Sequence, residues 1–262
     1  MRKGYQQHSI LALKRLNRGE FYHGDYLVES LKIKDESVDL VLTDPPYGMT
    51  AAVFSVTLKD QRKHNQTLIK HKSVTWDDAI DIDLLLKNIS RVLRTSGRAV
   101  IFGGGATSRD LLSFYGKTVH GLKMSQRAAW VKTQGGFFLA CKKALVICFE
   151  DIFIFTKIGG KPTFNLNGKK SKKNTFVYPS GARGIHPTKK PTPLLEDLIK
   201  TYSNKGDMVA DFFSGSGSTG VACENTGRNY VLIERDPMYY ERGQLRCQAA
   251  ADEAAQELKF EL

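Results

Sequence analysis

A glycine-rich turn sits between a strand-like and a helix-like segment, and it comes late in the chain. Gly215-Ser216-Gly217-Ser218-Thr219-Gly220 follows the apolar run Met208 to Phe213 and opens a helical segment, Ser218 to Asn225, which Gly227 closes. Glycines let the backbone approach a ligand closely, and the free N–H groups of a helix start attract a polar one. The next strand-like run, Tyr230 to Ile233, ends at Glu234, near the ~20 residues expected between such a turn and an acid that takes ribose hydroxyls. A nicotinamide or flavin enzyme satisfies the same pattern. Position argues otherwise, because only 42 residues follow Gly220. A dinucleotide fold begins with this turn and builds both halves after it. Asp211 also suits an ammonium-bearing ligand better than a pyrophosphate, whose charge it would repel.

Most of the strands must therefore precede the turn. Val38 to Thr43 is apolar and β-branched, and Ile80 to Leu93 has apolar residues at helical spacing. Ala99 to Phe102, Ala128 to Val131 and Ile152 to Phe155 read as strands. Pro191-Thr192-Pro193 opens a helix, and Pro237 starts a last one. This alternation predicts an α/β fold, a twisted, mostly parallel sheet with helices on both faces, in one domain over residues 1–262.

The charge points to a partner. Lysine and arginine exceed the acids by 12, a cationic surface that favours polyanions such as nucleic acid. Two stretches concentrate it. The first, a basic loop over 48–75, carries Lys59, Arg62, Lys63, Lys70 and Lys72. The second, Lys157 to Lys190, contains no acid and interleaves Lys169, Lys170, Lys172, Lys173 and Arg183 with Phe164, Phe176 and Tyr178. Either could be a solvated face, but basic residues among aromatics suit phosphate contact and base stacking, so 157–185 is expected to be the segment that recognises the target. No apolar stretch approaches the ~20 residues of a membrane span. The start of the chain lacks the apolar core of a secretion signal. Cys141, Cys148, Cys223 and Cys247 form no CxxC pair, the usage of a reduced compartment rather than of a disulfide framework or a metal site. A cytoplasmic protein without a metal is expected.

Thr43-Asp44-Pro45-Pro46-Tyr47 ends the first strand-like run. Each proline fixes φ and lacks an N–H, so the backbone leaves the strand in one stiff direction. The Asp44 carboxylate and Pro45 carbonyl are then two acceptors at set positions, matching the two N–H donors of an exocyclic amino group. Tyr47 offers a flat face for a base.

These segments, with His186-Pro187-Thr188-Lys189-Lys190-Pro191 between them, resemble the catalytic, flanking and S-adenosylmethionine motifs of the β-group DNA amino-methyltransferases. That family orders its motifs circularly, with the catalytic motif first, which accounts for the late glycine turn. The resemblance implies a Rossmann-like S-adenosylmethionine-dependent methyltransferase fold. It implies that Asp44, Pro45, Pro46 and Tyr47 hold a flipped target base. Asp211, Phe213, Gly215, Ser216 and Gly217 would surround the cofactor, Glu234 its ribose and Asp25 its adenine, and Thr188 and Lys190 would close over its carboxylate end. Two positions depart from the pattern: Phe212 stands where the family usually has proline, and Lys189 where it often has glutamine.

The expected activity is methyl transfer from S-adenosylmethionine to the N6 of adenine in double-stranded DNA, without metal or nucleophilic cysteine. Aspartate at position 44 is the family's usage for adenine. Cytosine-N4 or RNA methylation is the alternative within the class, and a non-catalytic nucleic-acid-binding module is the alternative outside it. A restriction endonuclease partner and the oligomeric state are left open by the sequence.

Overall fold

A computed structural model of the protein describes residues 19–48, 80–133, 148–180 and 189–260. Among these, nine strands form one sheet: β1 (Gly19–His23), β2 (Val38–Thr43), β3 (Leu93–Gly103), β4 (Thr118–Val119), β5 (Leu122–Lys132), β6 (Phe149–Lys157), β7 (Thr175–Tyr178), β8 (Met208–Asp211) and β9 (Asn229–Glu234). Their order is β1-β9-β8-β2-β3-β6-β5-β4, with β7 beside the end of β5. β1, β9, β8, β2 and β3 run parallel, while β6 turns antiparallel between β3 and β5. The sheet is mixed and mostly parallel, as its alternating sequence predicts. Among the described residues no helix is long and apolar enough to cross a membrane.

Period-2 alternation sends the strands into two cores. Val41, Ala99 and Ile101 face one, packed by helices α1 (Tyr26–Glu29), α2 (Ile82–Val92) and α3 (Gly105–Leu112). Leu40, Leu42, Val100 and Phe102 face the other, packed by α4 (Thr192–Tyr202), α5 (Ser218–Thr226) and α6 (Pro237–Phe260). Helix α2 forms because Ile82, Leu85, Leu86 and Ile89 share one face, and because Asp81 caps its start by accepting from the Leu84 N–H at 3.0 Å. It gives way directly to β3 at Leu93, six residues earlier than the sequence suggests. Strands β1, β4 and β7 are additions to the sequence reading.

Strands β8 and β2 are neighbours whose connections leave in opposite directions, β8 through α5 to β9 and β2 through α2 to β3. This is a topological switch point, where open α/β sheets leave a crevice for ligands at their carboxyl ends. The backbone pairing there is short, Leu40 with Val209 and Val41 with Ala210. Side chains complete it. Thr43 Oγ1 donates to Asp211 Oδ1 at 2.8 Å and accepts from the Phe212 N–H at 3.2 Å. Thr219 Oγ1, from the first turn of α5, donates to Asp211 Oδ2 at 2.6 Å. Phe212, buried in the first core, thus has an N–H that proline at this position could not supply.

Thr43→Val would keep the shape and remove both bonds. We expect it to lower stability by about 1–3 kcal/mol, the cost of leaving buried polar groups unsatisfied, seen as a lower urea midpoint with unchanged slope. Burial pushes the Asp211 carboxyl up from 3.8 to about 6, against the pull of its hydroxyl and N–H donors. The folded chain then holds a proton that the unfolded chain has released. The contribution of Asp211 is therefore fully present below about pH 4 and lost as pH rises through about 6. At ~1.4 kcal/mol per pKa unit the loss is about 3 kcal/mol. Asp211→Asn should remove that component, so its urea-derived stability should fall less steeply than the wild type's between pH 4 and 6.

Candidate active site

Four acids gather at the carboxyl ends of adjacent parallel strands: Asp25 just after β1, Glu234 ending β9, Asp211 ending β8 and Asp44 just after β2. Asp25 caps α1, its Oδ1 accepting from the Leu27 N–H at 2.9 Å. The Gly24 N–H donates to the Glu234 carbonyl at 2.9 Å and ties the start of that turn to β9.

The glycine turn closes on Glu234. Its Oε2 accepts from the Gly215 N–H at 2.7 Å and its Oε1 from the Asp236 N–H at 2.8 Å. Each oxygen keeps a second lone pair for a ligand hydroxyl. Burial raises the Glu234 carboxyl above its ordinary range, and the backbone donors pull against it. Gly215 (φ +52°) and Gly217 (φ +75°) hold left-handed backbone. At Gly217 a Cβ would also lie 2.9 Å from Gly243 Cα of α6, so this glycine admits a helix, not only a ligand. Ser216 is held by Arg246, whose Nη1 donates to its carbonyl and, at 2.9 Å, to its Oγ. The Phe213 ring rests against Tyr26, centroids 4.8 Å apart. Carboxylates with spare lone pairs, a helix start and an apolar wall fit an adenosine-bearing cofactor with a cationic amino-acid end.

Asp44, beside this crevice, is part of a charged cluster. Pro45 is buried, and the Pro46 carbonyl accepts from Thr107 Oγ1 of α3 at 2.8 Å, which anchors the stiff turn. Tyr47 folds back, its hydroxyl donating to Asp44 Oδ1 at 2.6 Å and reaching Glu150 Oε2 at 3.2 Å. Its ring lies where a Cβ on Gly104 would stand, 2.7 Å from Cδ2, so only glycine fits there. The Lys190 ammonium, 6% exposed, pairs with Asp44 Oδ2 and with Glu150 Oε2 at 3.2 Å. Lys132 of β5 pairs with Glu150 Oε1 at 2.7 Å.

Burial sets the baseline for these charges and their neighbours decide the outcome. Burial raises Asp44, with Lys190 pulling the other way and Glu150 adding to the rise. Burial would raise Glu150 too, but Lys190 and Lys132 outweigh it and hold that carboxyl below its usual range. Lys190 is held above its usual value, since Asp44 and Glu150 overcome the effect of its burial. Burial pushes the Tyr47 phenol far up, so it remains a donor.

The structure gives several of the expected residues partners within the fold. Lys190, expected over a cofactor's carboxylate end, is engaged with Asp44 and Glu150 instead. Lys172, expected to face phosphate, is buried in an ion pair with Asp197 of α4 at 2.7 Å. Phe176 lies in the second core and the Tyr178 hydroxyl bonds Asp197 at 3.1 Å, whereas Phe164 rests on Tyr202 with its outer face exposed. Lys169, Lys170 and Lys173 are exposed. The first two follow Asn165, which is fastened to the carbonyls of Lys200, Thr201 and Ser203, at the end of α4 that leads into β8 and away from Asp44. Thr188, Arg62, Lys63 and Arg183 lie outside the described residues. Glu150, Lys132, Thr43 and Arg246 are site residues that the sequence reading missed. Of these, Thr43 was visible only as the first residue of the motif that carries Asp44.

The model of a family described as DNA methylase matches residues 38–245. The chain is 28% identical to the DNA adenine methyltransferase YhdJ of Escherichia coli K12, across 90% of this chain and 85% of that protein. It is also 28% identical to the type II methyltransferase M.HpaI of Haemophilus parainfluenzae, across 84% of this chain and 71% of that one. Among solved structures, the M1.HpyAVI–SAM complex superposes with a TM-score of 0.66 at 22% identity, covering 87% of this chain and 98% of that one. The cytosine-N4-specific PvuII DNA methyltransferase superposes with a TM-score of 0.67 at 20% identity, covering 90% and 92%. With both sequence motifs inside the matched span and on one edge of the sheet, the chain belongs to the DNA methylase family that model describes.

Proposed function

We propose that the protein transfers a methyl group from S-adenosylmethionine to the N6 amino group of adenine in DNA, with the target base turned out of the duplex. The observation that carries this reading is the adjacency of two acids across the switch point. Asp44, followed by two prolines, stands beside Asp211, followed by the glycine turn, and Thr43, the residue before Asp44, donates to Asp211. One strand end suits an amino group and the next an adenosine-bearing donor. Aspartate at position 44 and a relative named as an adenine methyltransferase favour adenine over cytosine.

The bound cofactor would supply an activated sulfonium methyl. The chain's own task is to orient the amino nitrogen. The lone pair of that nitrogen is delocalised into the ring, so it is a weak nucleophile at rest. Accepting its two N–H groups at the Asp44 carboxylate and the Pro45 carbonyl favours a pyramidal nitrogen and stabilises positive charge developing on it. The prolines make those acceptors preorganised. Tyr47 provides the face on which an extruded base rests, offsetting the few kcal/mol of unstacking. Asp25, Asp211, Glu234 and the turn at Phe213, Gly215, Ser216 and Gly217 would hold the cofactor.

Phosphate contacts are expected from the edge that carries Asp44. The chain leaves and rejoins that edge at Gly48 and Ile80, at Thr133 and Cys148, and at Ser180 and Lys189. The intervening sequence includes Arg62, Lys63, Lys142, Lys143 and Arg183.

Asp44→Ala tests the reading directly. Glu150 would still neutralise Lys190, so the fold should survive. Loss of a preorganised acceptor should slow methylation by at least about 10²–10³, while S-adenosylmethionine affinity by calorimetry stays close to wild type. Mass spectrometry of digested product DNA should find N6-methyladenine. N4-methylcytosine would move the assignment to the other amino base, and an Asp44→Ala variant near wild-type rate would remove Asp44 from the chemistry.

A further inference from the structure

We propose that Lys190 holds the place of the target amino group before the base enters, and that Glu150 is the positioning residue that receives it when the base arrives. The inference rests on the reading of Asp44 as the amino-group acceptor.

An ammonium has three N–H donors and no acceptor. Those of Lys190 have three oxygens within reach: Asp44 Oδ2, Glu150 Oε2 at 3.2 Å and Tyr47 Oη at 3.3 Å. The ammonium also lies over two ring faces, 5.5 Å from the Tyr47 centroid and 4.9 Å from that of Phe102. A target base needs the same two features, an oxygen of Asp44 and the face of Tyr47. The other oxygen of Asp44 already accepts from the Tyr47 hydroxyl. Amino group and ammonium therefore compete for Asp44, and the base cannot take its place until Lys190 withdraws.

Withdrawal is feasible only if the buried cation keeps a counter-charge, since an unpaired buried charge is strongly disfavoured. Glu150 meets that need. It is within reach of Lys190 already, and its second oxygen is fixed by Lys132, so a short shift leaves Lys190 on Glu150 alone. The shift also separates two functions of one cation. Before entry it bridges two neighbouring carboxyl groups, and afterwards it leaves Asp44 free to accept from the base. Glu150 touches no reacting atom in this scheme and acts through Lys190.

Single-turnover methylation of DNA from a methylation-deficient host, at saturating S-adenosylmethionine, tests this in the full-length chain. Glu150→Gln should slow the turnover about tenfold or more, because Lys190 then stays with Asp44 as its one carboxylate partner. Adding Lys190→Met to Glu150→Gln should restore a large part of the loss, a non-additivity that a merely structural role of Glu150 does not produce. Glu150→Asp, which keeps the charge on a shorter stem, should fall between wild type and Glu150→Gln. Calorimetric S-adenosylmethionine affinity reports folding, and if Glu150→Gln fails that check the comparison passes to Glu150→Asp. Wild-type turnover in whichever Glu150 variant is folded, or a double variant no faster than Glu150→Gln, would overturn the inference. Asp44→Ala run alongside separates the two levels. An inactive Asp44→Ala with an unimpaired Glu150 variant removes only this role of Glu150, whereas an active Asp44→Ala removes the acceptor reading beneath it.

Discussion

A single threonine joins the two halves of this molecule's chemistry. Backbone pairing between β2 and β8 spans only two residue pairs, so the carboxyl ends of those strands would be free to part without Thr43. Its hydroxyl donates to one strand's acid and accepts from the N–H of the next residue, satisfying two buried groups at once. Everything functional is referred to that seam. Asp44 follows Thr43 directly, and the glycine turn follows Asp211. The relative position of Asp44 and the glycine turn is therefore set by side-chain hydrogen bonds inside the sheet. Preorganisation of this kind is what an alignment-driven methyl transfer needs.

The second constraint is electrostatic. Asp44 and Glu150 share a pocket, and Asp44 also stands close enough to Asp211 to raise it further. Left to themselves such carboxylates would take up protons. Lys190 pulls Asp44 down against the effect of its burial without overcoming it and, with Lys132, holds Glu150 below its usual range, while the partners of Asp211 among the described residues are hydroxyls and an N–H. A buried ammonium bridges Asp44 and Glu150, while Asp211 sits among neutral donors and is raised to about 6. Two acids of the same type thus acquire different characters from their neighbours.

Much of this was legible in the chain, for specific reasons. Asp44 and Asp211 both end apolar runs and are followed by residues with strict backbone rules, two prolines in one case and left-handed glycines in the other. The apolar, β-branched run Val38 to Thr43 is the strand expected there, although a register shift between Val38 and Leu40 puts those two residues in different cores. Strand β1 escaped because Gly19–His23 is half-exposed and shows no apolar alternation, and it is held by register with β9, more than two hundred residues away. Lys190 and Lys172 were visible as basic residues but not as paired ones. The acid of Lys190 lies 146 residues earlier, and that of Lys172 comes 25 residues later, on a helix. Charge counted along a sequence cannot distinguish a cation facing solvent from one that folding buries against an acid.

That distinction bears on how the surplus of 12 positive charges acts. Lys132, Lys157, Lys172 and Lys190 are each neutralised by an acid within the fold, so they add little to the outer field. Lys169 and Lys170 remain exposed near Asn165, which is fastened where α4 leads into β8, at the opposite end of the strands from Asp44, whereas Lys173 is exposed next to Asn174, which bonds alongside β5. A six-residue strand such as β2 is roughly 20 Å long. Screening reduces interactions between exposed charges beyond a Debye length of about 10 Å at 0.1 M salt. Under the proposed reading, exposed lysines at the far end would draw a duplex toward the protein at low ionic strength more than they would hold phosphates around an extruded base. That holding would fall to the edge that carries Asp44, which the chain leaves at Gly48 and Thr133 and rejoins at Lys189.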